Sequence, residues 1–546
     1  MRPFGPAQAE ASSPLFPGAA EAAPARNRVR LLAIGIFAVL LLLAGRAVQL
    51  AFSGDPLAAQ SRASAASTLP RGDIVDRNGV LLATTVRAYA LTATPSRVWD
   101  APAIADALRG IFPDLDRATI IRRLTDTSRD LIYLRRGLTP DQRDRVHALG
   151  LAGIGFETEH HREYPQGASA GHVLGFTDVD LNALSGVERG LDAQIRAAGE
   201  SGGAVRLSLD MRIQYALEEE LDAAARAAGA SGGAAIVLDG RTGETLALAS
   251  WPVFNPNQAG QATEDQRRDR AAGDLHELGS TVKPFTVAIA LQEGLTNPGE
   301  LFDLARPLVI ETSTIEDHEP HVGMSSLREI LAHSSNVGAA QLALRTGGAR
   351  QRAYLERLGL TSASGLELGR DQAPLAPQTR SRRDVAGVGF GYGIAATPAT
   401  LAGAYTLFAN NGQRVRPTLL ALASDAAITR TQVFSPEVTR QVLTYMRATV
   451  TDGTGRAADV PGLMVAGKTG TAEKLTGADG YDESRNFSSF AGVFPANAPR
   501  YIIVLALDDT GEGAAGGMVA APAVGRTLRR IAPMLGLRVE ARAPTR

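Results

Sequence analysis

Lysine is the rarer basic residue of this chain, and its positions mark the segments that could do chemistry. Lys283, Lys468 and Lys474 are its three lysines among 56 basic residues. A lysine has a reference pKa of about 10.4 and becomes a neutral base at pH 7 when burial or a neighbouring cation lowers that pKa by roughly 3.4 units. Arginine keeps its proton at any workable pH. We therefore expect positions that need a base to keep lysine.

Ser280 and Lys283 lie in HELGSTVKPF, residues 276–285. Proline is tolerated in the first turn of a helix, so Pro284 predicts a helix that begins at about Ser280. Gly279 permits a sharp turn, and Lys283 follows Ser280 by three residues on the same helix face. A hydroxyl, a lysine and the positive end of a helix dipole predict a serine nucleophile with its base. Ser-x-x-Lys alone is a weak signal.

Lys468 lies in GLMVAGKTGTAEK, residues 462–474. Gly462 to Thr469 satisfies the G-x-x-x-x-G-K-T pattern of a phosphate-binding loop, which should follow a buried strand and open a helix after the lysine. Residues 459–461 are Asp-Val-Pro, and Gly470 follows Thr469 where that helix should begin. These neighbours argue against nucleotide binding.

The same segment is typical of a strand that carries Lys-Thr-Gly. Gly467 and Gly470 remove side chains where a substrate backbone could approach and add itself as a further strand. Lys468, Thr469 and Thr471 would then surround a substrate carboxylate. Lys474, at the end of the predicted strand, is expected to be a surface lysine.

Two further serine patterns need weighing. AHSSNVG, residues 332–338, joins two helical patterns, and Ser334 and Asn336 could deliver a hydroxyl and an amide into a shared cleft. Taken alone, Ser-Ser-Asn is usually a capped turn. GASAG, residues 167–171, fits a nucleophile elbow, but Tyr-Pro-Gln precedes it in place of an apolar strand, so it predicts a loop.

Composition restricts the classes of function. A chain of 546 residues is long enough for two or more domains, and 45% hydrophobic with 21% charged residues is typical of a folded protein. A net charge of -1 gives no reason to expect nucleic acid. The absence of cysteine excludes disulfides, thiol nucleophiles and cysteine zinc sites. The eight histidines form no His-Glu-x-x-His pattern, so no metal or cofactor is expected.

The N-terminal region predicts a membrane anchor. Residues 31–45, LLAIGIFAVLLLLAG, are apolar, and AVQLAF continues them past Arg46. The extended segment spans a bilayer core of about 30 Å if Arg46 reaches the interface. Three arginines before it predict a cytoplasmic N-terminus with the rest of the chain outside. A cleaved signal peptide is the alternative, but the nearest Ala-x-Ala, at 63–65, lies far downstream.

The elements that must position these residues follow from local patterns. Asn78-Gly79 predicts a hairpin over 72–85, and a second hairpin is predicted over 232–250. Helices are predicted near 101–112, 139–149 and 211–228, a mostly helical stretch over 278–425, and strands near 463–473, 487–494 and 501–508. A glycine-rich segment from Gly199 marks a domain boundary. Strands at both ends of a helical region indicate an α+β architecture.

Ser-x-x-Lys, Ser-x-Asn and Lys-Thr-Gly in this order resemble the signature of penicillin-binding proteins and serine β-lactamases. RGDIVDRNGVLLA (71–83), REYPQG (162–167), GHVLGFTD (171–178) and LSLDMRIQ (207–214) resemble the pedestal of a class B penicillin-binding protein, more of the septal FtsI type than of the rod-elongation type. GYGIAATPATLAGAYTLFANNG and SSFAGVFPANAPRYIIV resemble its transpeptidase domain. Leu278 and His276 depart from the family pattern and bear on the fine geometry of the cleft.

The resemblance implies an α+β chain with a single N-terminal transmembrane helix, an elongated pedestal and a serine β-lactamase/transpeptidase-like domain, whose antiparallel sheet has helices on both faces. The expected parts are, in chain order, a cytoplasmic tail (1–28), the anchor (29–52), the pedestal (53–205), the transpeptidase domain (206–538) and a tail (539–546).

The resemblance also implies site roles. Ser280 attacks the bond between two terminal D-alanines, neutral Lys283 accepts its proton, and a charged Lys468 lowers the pKa of Lys283. Ser334 relays a proton to the leaving D-alanine, and Asn336 orients the acyl group. The backbone N–H groups of Ser280 and Thr471 form the oxyanion hole, and the substrate-binding residues are Thr469, Gly470 and Thr471.

The implied function is D,D-transpeptidation of peptidoglycan stem peptides during septal wall synthesis in the inner membrane, with the catalytic domain on the periplasmic side. The expected partners are a D-Ala-D-Ala donor, an acceptor amine, β-lactams, and division-complex membrane proteins including a glycosyltransferase. The alternatives are an elongation-type transpeptidase, a β-lactamase, a D,D-carboxypeptidase, and a division scaffold or β-lactam sensor without turnover. A β-lactamase of the large class that uses Glu-x-x-x-Asn is disfavoured, because none of Glu356, Glu367 and Glu437 has Asn four residues on.

Overall fold

The structure is a computed structural model that describes residues 34–45, 71–311, 313–319, 323–375, 377, 379–475, 481–511 and 514–539. The chain divides into two compact units, Met1–Ser67 and Thr68–Arg546. In the first unit, residues 34–45 form a helix. Within the ranges described, no helix is long and apolar enough to cross a membrane.

Several predictions for the chain ends concern residues outside the described ranges. These are the tail 1–28, the anchor flanks 29–33 and 46–52, and residues 540–546 of the second tail. The anchor and both tails therefore stay predictions.

The hairpin predicted around Asn78 is confirmed at the start of the second unit. β1 (Asp73–Val75) and β2 (Leu81–Ala93) pair antiparallel. One oxygen of Asp76 accepts the backbone N–H groups of Asn78 and Val80, each at 2.8 Å. The other oxygen accepts the N–H of Met211 at 3.1 Å. A single carboxylate thus closes the hairpin and attaches it to the helix that begins at Met211.

β2 belongs to a five-stranded sheet with the order β3-β2-β1-β5, and β4 also pairs with β2. Its other strands are β3 (Ile132–Leu138), β4 (Ile154–Glu163) and β5 (Ala204–Arg206). The two helices predicted here are confirmed as α1 (Ala101–Ile111) and α3 (Pro140–His147), with α2 (Arg117–Thr125) between them. The predicted domain boundary after residue 205 lies within β5, and it stays a prediction.

The larger sheet takes strands from both ends of the helical region that follows residue 251, as predicted. Its order is β16-β17-β18-β6-β7, and every pair is antiparallel. The strands are β6 (Gly232–Asp239), β7 (Thr245–Trp251), β16 (Ala466–Leu475), β17 (Tyr481–Phe494) and β18 (Tyr501–Thr510). β16, which carries Lys468, is therefore an edge strand.

The larger sheet is buried on both faces. Alternate residues of a strand point to opposite sides of a sheet, and here both sets of side chains are buried. On β6, Ala235 and Val237 join one apolar cluster, and Ile236 and Leu238 join another. The first cluster includes residues of α7 (Met211–Ala228) and α17 (Ala520–Ile531). The second includes residues of the helices between Lys283 and Thr451. The prediction of helices on both faces is confirmed.

The remaining helices follow strands β4 and β7 or cover the second face of the larger sheet. Between β4 and β5 lie α4 (Gly171–Leu174), α5 (Gly186–Gly190) and α6 (Asp192–Ser201), and after β7 lie α8 (Glu264–Arg267) and α9 (Arg270–Gly273). The covering helices are α10 (Lys283–Gln292), α11 (Leu327–Ala332), α12 (Asn336–Thr346), α13 (Gly348–Leu358), α14 (Arg382–Phe390), α15 (Pro398–Tyr405) and α16 (Pro436–Thr451).

The prediction of a mostly helical stretch over 278–425 is wrong between 301 and 326, where four short strands occur. They are β9 (Leu301–Asp303), β10 (Leu308–Ile310), β11 (Ser313–Ile315) and β12 (Met324–Ser326). β12 pairs with β9, which lies more than twenty residues earlier. Such pairing depends on contacts distant in sequence, which a local helical pattern does not reveal. The other short strands are β8 (His276–Glu277), β13 (Ala395–Ala396), β14 (Gln413–Val415) and β15 (Arg430–Gln432).

Candidate active site

The Ser280 turn differs slightly from the predicted helix start. Gly279–Val282 form one turn of 3-10 helix, and the α-helix α10 begins at Lys283, whose N–H bonds to the carbonyl of Ser280. Gly279 has a φ of 50°, in the left-handed region that favours glycine, and a Cβ atom there would lie 3.0 Å from the Thr471 carbonyl oxygen. The turn therefore places Ser280 beside strand β16.

Lys283 is fully buried, and its side chain forms hydrogen bonds with Ser334 and Asn336 of the predicted Ser-x-Asn motif. Its Nζ donates to the Ser334 carbonyl oxygen at 2.5 Å, to Asn336 Oδ1 at 2.7 Å and to Ser334 Oγ at 3.2 Å. An ammonium has three donors, and these acceptors use all of them. The hydroxyl of Ser280, which is half-buried, makes no hydrogen bond to Lys283 or to another described residue. No hydrogen bond therefore joins the predicted nucleophile to its predicted base, although the two residues share a turn.

Burial lowers the pKa of Lys283 to about 7, and the nearby Asp317 carboxylate opposes that shift. Removing a cation from water disfavours its charged form, whereas a neighbouring anion favours it. At neutral pH a large fraction of Lys283 is therefore uncharged and able to accept a proton.

The Ser334–Asn336 turn caps helix α12 and also supplies the hydrogen-bond acceptors of Lys283. Ser335 Oγ accepts the N–H of Gly338 at 2.9 Å and so caps α12. Ser334 has a φ of 64°, which is uncommon for a residue with a side chain. The capped-turn interpretation is confirmed, and the same turn directs Ser334 and Asn336 toward Lys283.

Lys468 is also fully buried, on strand β16. Its Nζ donates to the Thr469 carbonyl oxygen at 3.0 Å and to Thr469 Oγ1 at 3.4 Å. Burial lowers the pKa of Lys468 well below its usual value, and the charge of Lys283 lowers it further. The implied role of a charged Lys468 that lowers the pKa of Lys283 therefore stays a prediction, and burial opposes the charged form of Lys468. Burial lowers both pKa values, and Lys468 has a neutral carbonyl and hydroxyl as partners.

The glycines of β16 serve a purpose other than the predicted one. A Cβ on Gly467 would lie 2.3 Å from the Phe490 ring, and one on Gly470 would lie 2.5 Å from Ser489 Oγ. Both positions thus make room for side chains of β17 in the same sheet. A peptide could still add to β16, because the strand forms the sheet edge.

The two predicted threonines are held by residues that the sequence motifs do not contain. Thr469 Oγ1 lies 2.6 Å from Thr454 Oγ1, and the N–H of Thr454 bonds to the Ala332 carbonyl at 3.1 Å. Thr471 Oγ1 accepts the N–H of Gly516 at 3.0 Å. Thr454 therefore links the Lys-Thr-Gly strand to the helix that precedes Ser334, and no local pattern around it indicates this role.

The resemblance implies that a penicillin acylates Ser280, and Thr454→Val is then expected to slow that acylation by about threefold to tenfold, because the Thr469 hydroxyl loses the bond that orients it. Stopped-flow or gel-based labelling rates would measure the effect. Thr444→Val is a matched control, because its exposed hydroxyl bonds only to the Arg440 carbonyl of its own helix. Equal rates for Thr454→Val and wild type would show that Thr454 is dispensable.

The two alternative motifs, G-x-x-x-x-G-K-T at 462–469 and G-x-S-x-G at 167–171, do not have the structural context that their chemistry requires. Residues 466–475 form strand β16, and no helix opens after Lys468, so the phosphate-loop pattern lacks its structural context. Ser169 lies in a turn before α4, and its hydroxyl donates to Glu218 at 2.5 Å. The loop predicted for residues 167–171 is confirmed over 167–170, and helix α4 begins at Gly171.

Leu278 and His276 directly precede the turn that carries Ser280. Leu278 is buried, and its carbonyl accepts the Thr281 hydroxyl at 2.6 Å. The His276 ring stacks on Phe487 with 4.0 Å between ring centroids. Lys474 lies on β16, and its predicted exposure stays a prediction.

Two family models match the chain. The penicillin binding protein transpeptidase domain matches residues 233–529, and the penicillin-binding protein dimerisation domain matches residues 67–198.

Curated relatives match over most of their lengths. A probable peptidoglycan D,D-transpeptidase FtsI of Caulobacter vibrioides is 41% identical, over 86% of this chain and 82% of its own. The peptidoglycan D,D-transpeptidase FtsI of Escherichia coli K12 is 32% identical, over 83% of this chain and 82% of its own. A solved structure of penicillin binding protein 3 from Mycobacterium tuberculosis, complexed with aztreonam, is 27% identical with a TM-score of 0.67, covering 86% of this chain and 97% of that one.

Proposed function

The chain belongs to the penicillin-binding protein transpeptidases, and from this membership we propose how its own residues carry out the reaction. It is a serine-type peptidoglycan D,D-transpeptidase of septal wall synthesis, similar to the FtsI enzymes. The observation that supports the residue assignment is the convergence of Ser334 and Asn336 on Lys283, one turn after Ser280.

In the acylation step, Ser280 Oγ bonds to the carbonyl carbon between the terminal D-alanines of a donor stem peptide. Neutral Lys283 takes the hydroxyl proton, which requires a rotation of the Ser280 side chain toward Nζ. The N–H groups of Ser280 and Thr471 stabilise the oxyanion. The C–N bond then breaks, and D-alanine leaves with a proton that passes from Lys283 through Ser334, whose Oγ lies 3.2 Å from Nζ.

In the second step, an amine of a neighbouring stem peptide attacks the ester. A new C–N bond forms, the C–Oγ bond breaks, and a proton returns to Ser280. Asn336 orients the acyl group. Lys468, Thr469, Gly470 and Thr471 hold the substrate carboxylate, whose charge favours the protonated form of Lys468.

The alternatives have less support. Glu367, one of the candidates for a water-holding carboxylate, accepts the Thr418 hydroxyl and the Leu419 N–H at 2.7 Å each, which is a structural role. An elongation role or a scaffold without turnover is not favoured by relatives named as FtsI transpeptidases.

A cross-linking assay tests the proposed function. The full chain is incubated with lipid-linked precursor and a glycosyltransferase, with and without prior treatment by a penicillin. We expect penicillin-sensitive cross-linked dimers. Trimmed but uncross-linked peptides would indicate a carboxypeptidase, and an absence of any product would support a scaffold.

The pKa of Lys283 predicts a pH profile for acylation. Only the neutral amine accepts a proton, so the rate should rise with pH and reach half of its plateau near pH 7. At pH 6 the rate should be about tenfold below that at pH 8. Labelling rates across pH 5.5–9 would measure it, with melting curves as a control for unfolding. A flat profile would contradict the base assignment.

We further propose that residues 29–52 anchor the chain in the inner membrane, with the catalytic region on the periplasmic side near the septum. The apolar run and the preceding arginines support this orientation. The proposed partners are division-complex membrane proteins, including a glycosyltransferase. Recovery of the chain in the membrane fraction, and its loss when residues 1–52 are deleted, would test the anchor.

A further inference from the structure

Asp317 follows strand β11, and its carboxylate accepts hydrogen bonds from the start of α12. Its Oδ1 accepts the N–H of Asn336 at 2.5 Å and the N–H of Val337 at 3.0 Å. Its Oδ2 accepts the hydroxyl of Ser335 at 2.7 Å. The first N–H groups of a helix have no partner within the helix, and a carboxylate is favoured at this positive end. One side chain thus fixes three consecutive residues.

These three residues adjoin the groups that hold the catalytic base. Asn336 contributes its side-chain oxygen to Lys283 Nζ, and Ser334, next to Ser335, contributes its carbonyl and hydroxyl. The backbone of Ser334 is left-handed, with a φ of 64°. A non-glycine residue keeps such a conformation only where its surroundings hold it. Asp317 supplies part of that restraint.

We propose that Asp317 is a positioning residue of the transpeptidase, which holds the Ser334–Asn336 turn in the geometry that binds Lys283 and places a negative charge near that lysine. The inference rests on the proposed function, because Lys283 must act as the base. Asp317 touches neither substrate nor Ser280 in this role, and it acts through Ser335 and Asn336.

The charge of Asp317 has a consequence that a simple helix cap lacks. Among the described residues, two charged groups interact with the Lys283 ammonium. They are Asp317, which follows β11, and Lys468 on β16. His333, at the end of α11, interacts with Glu329. The carboxylate raises the pKa of Lys283 against the effect of burial, so its removal should let the lysine lose its proton at lower pH.

Asp317→Asn and Asp317→Ala together separate the effect of the Asp317 charge on Lys283 from the effect of its hydrogen bonds to the Ser335–Val337 segment. The asparagine oxygen can still accept the N–H groups of Asn336 and Val337, and its amide can donate to Ser335 Oγ. We expect the plateau acylation rate of D317N to stay within about threefold of wild type. The ratio of its rate at pH 6 to its plateau rate should be about twofold to fivefold higher than the same ratio for wild type. D317A should lower the plateau by about tenfold, because three hydrogen bonds are lost.

The measurement is the labelling rate of the full chain by a fluorescent penicillin between pH 5.5 and 9, with thermal unfolding at each pH. Asp384→Asn is the matched control, because Asp384 also caps a helix through backbone N–H groups but belongs to α14. It should leave the pH profile unchanged.

Either of two results would overturn the role of Asp317: a D317N profile that coincides with wild type, or a D317A plateau equal to wild type. If D317A does not fold, D317N alone decides. A wild-type chain that takes up no penicillin would overturn the proposed function and this role together, whereas normal wild-type acylation with unchanged D317N would overturn this role alone.

Discussion

Ser280→Ala is expected to abolish covalent labelling of the chain by a fluorescent penicillin. The acyl-enzyme needs an oxygen nucleophile at this turn, and alanine provides none. The half-buried hydroxyl of Ser280 makes no hydrogen bond to another described residue. Its loss should therefore change the free energy of unfolding by less than about 1 kcal/mol. Gel fluorescence gives the labelling, and intact-mass analysis gives the number of adducts.

Ser169→Ala is the matched control for this experiment. Ser169 is the serine of the pattern that resembles a nucleophile elbow, and its hydroxyl is bonded to Glu218. The variant should label like wild type, with the adduct on the peptide that contains Ser280. Persistent labelling of Ser280→Ala at the wild-type rate would show that another residue is the nucleophile.

Lys283→Arg is expected to reduce acylation by about a thousandfold, within the range that general-base catalysis contributes. Arginine keeps its proton at every pH at which the protein is folded, so the variant cannot accept the Ser280 proton. It also places a larger head group among the three acceptors of Lys283, which should cost about 1–3 kcal/mol of stability. Labelling rates and circular dichroism melts would separate the two effects.

Lys474→Arg is the matched control, since the sequence predicts a surface position where only charge matters. It should label at the wild-type rate. A Lys283→Arg variant that is folded and labels nearly as fast as wild type would refute the assignment of Lys283 as the base.

Much of the site was predictable because its residue types are set by chemistry. The proposed role of Lys283 as a titratable base would explain why lysine occurs at this position in an arginine-rich chain. The resemblance then grouped three motifs that are individually weak. The structure agrees in bringing Ser334 and Asn336 from a segment about fifty residues later onto Lys283.

The sequence failed where the answer depended on distant packing. It assigned Gly467 and Gly470 to an incoming peptide, whereas Phe490 and Ser489 of the adjacent strand occupy that space. It missed Asp317 and Thr454 because an ordinary aspartate or threonine carries no local signal of a partner elsewhere in the chain.

The amino-acid sequence by itself determined the hairpins, the alternating strands and the order of the reactive residues, because these depend on local periodicity and on side-chain chemistry. Only the tertiary structure decided the direction in which the pKa values of the two lysines shift. The pKa of Lys283 and that of Lys468 fall because several segments together exclude water from them, and Asp317 then partly restores that of Lys283. Desolvation is a property of the assembled fold, so no single segment contains it.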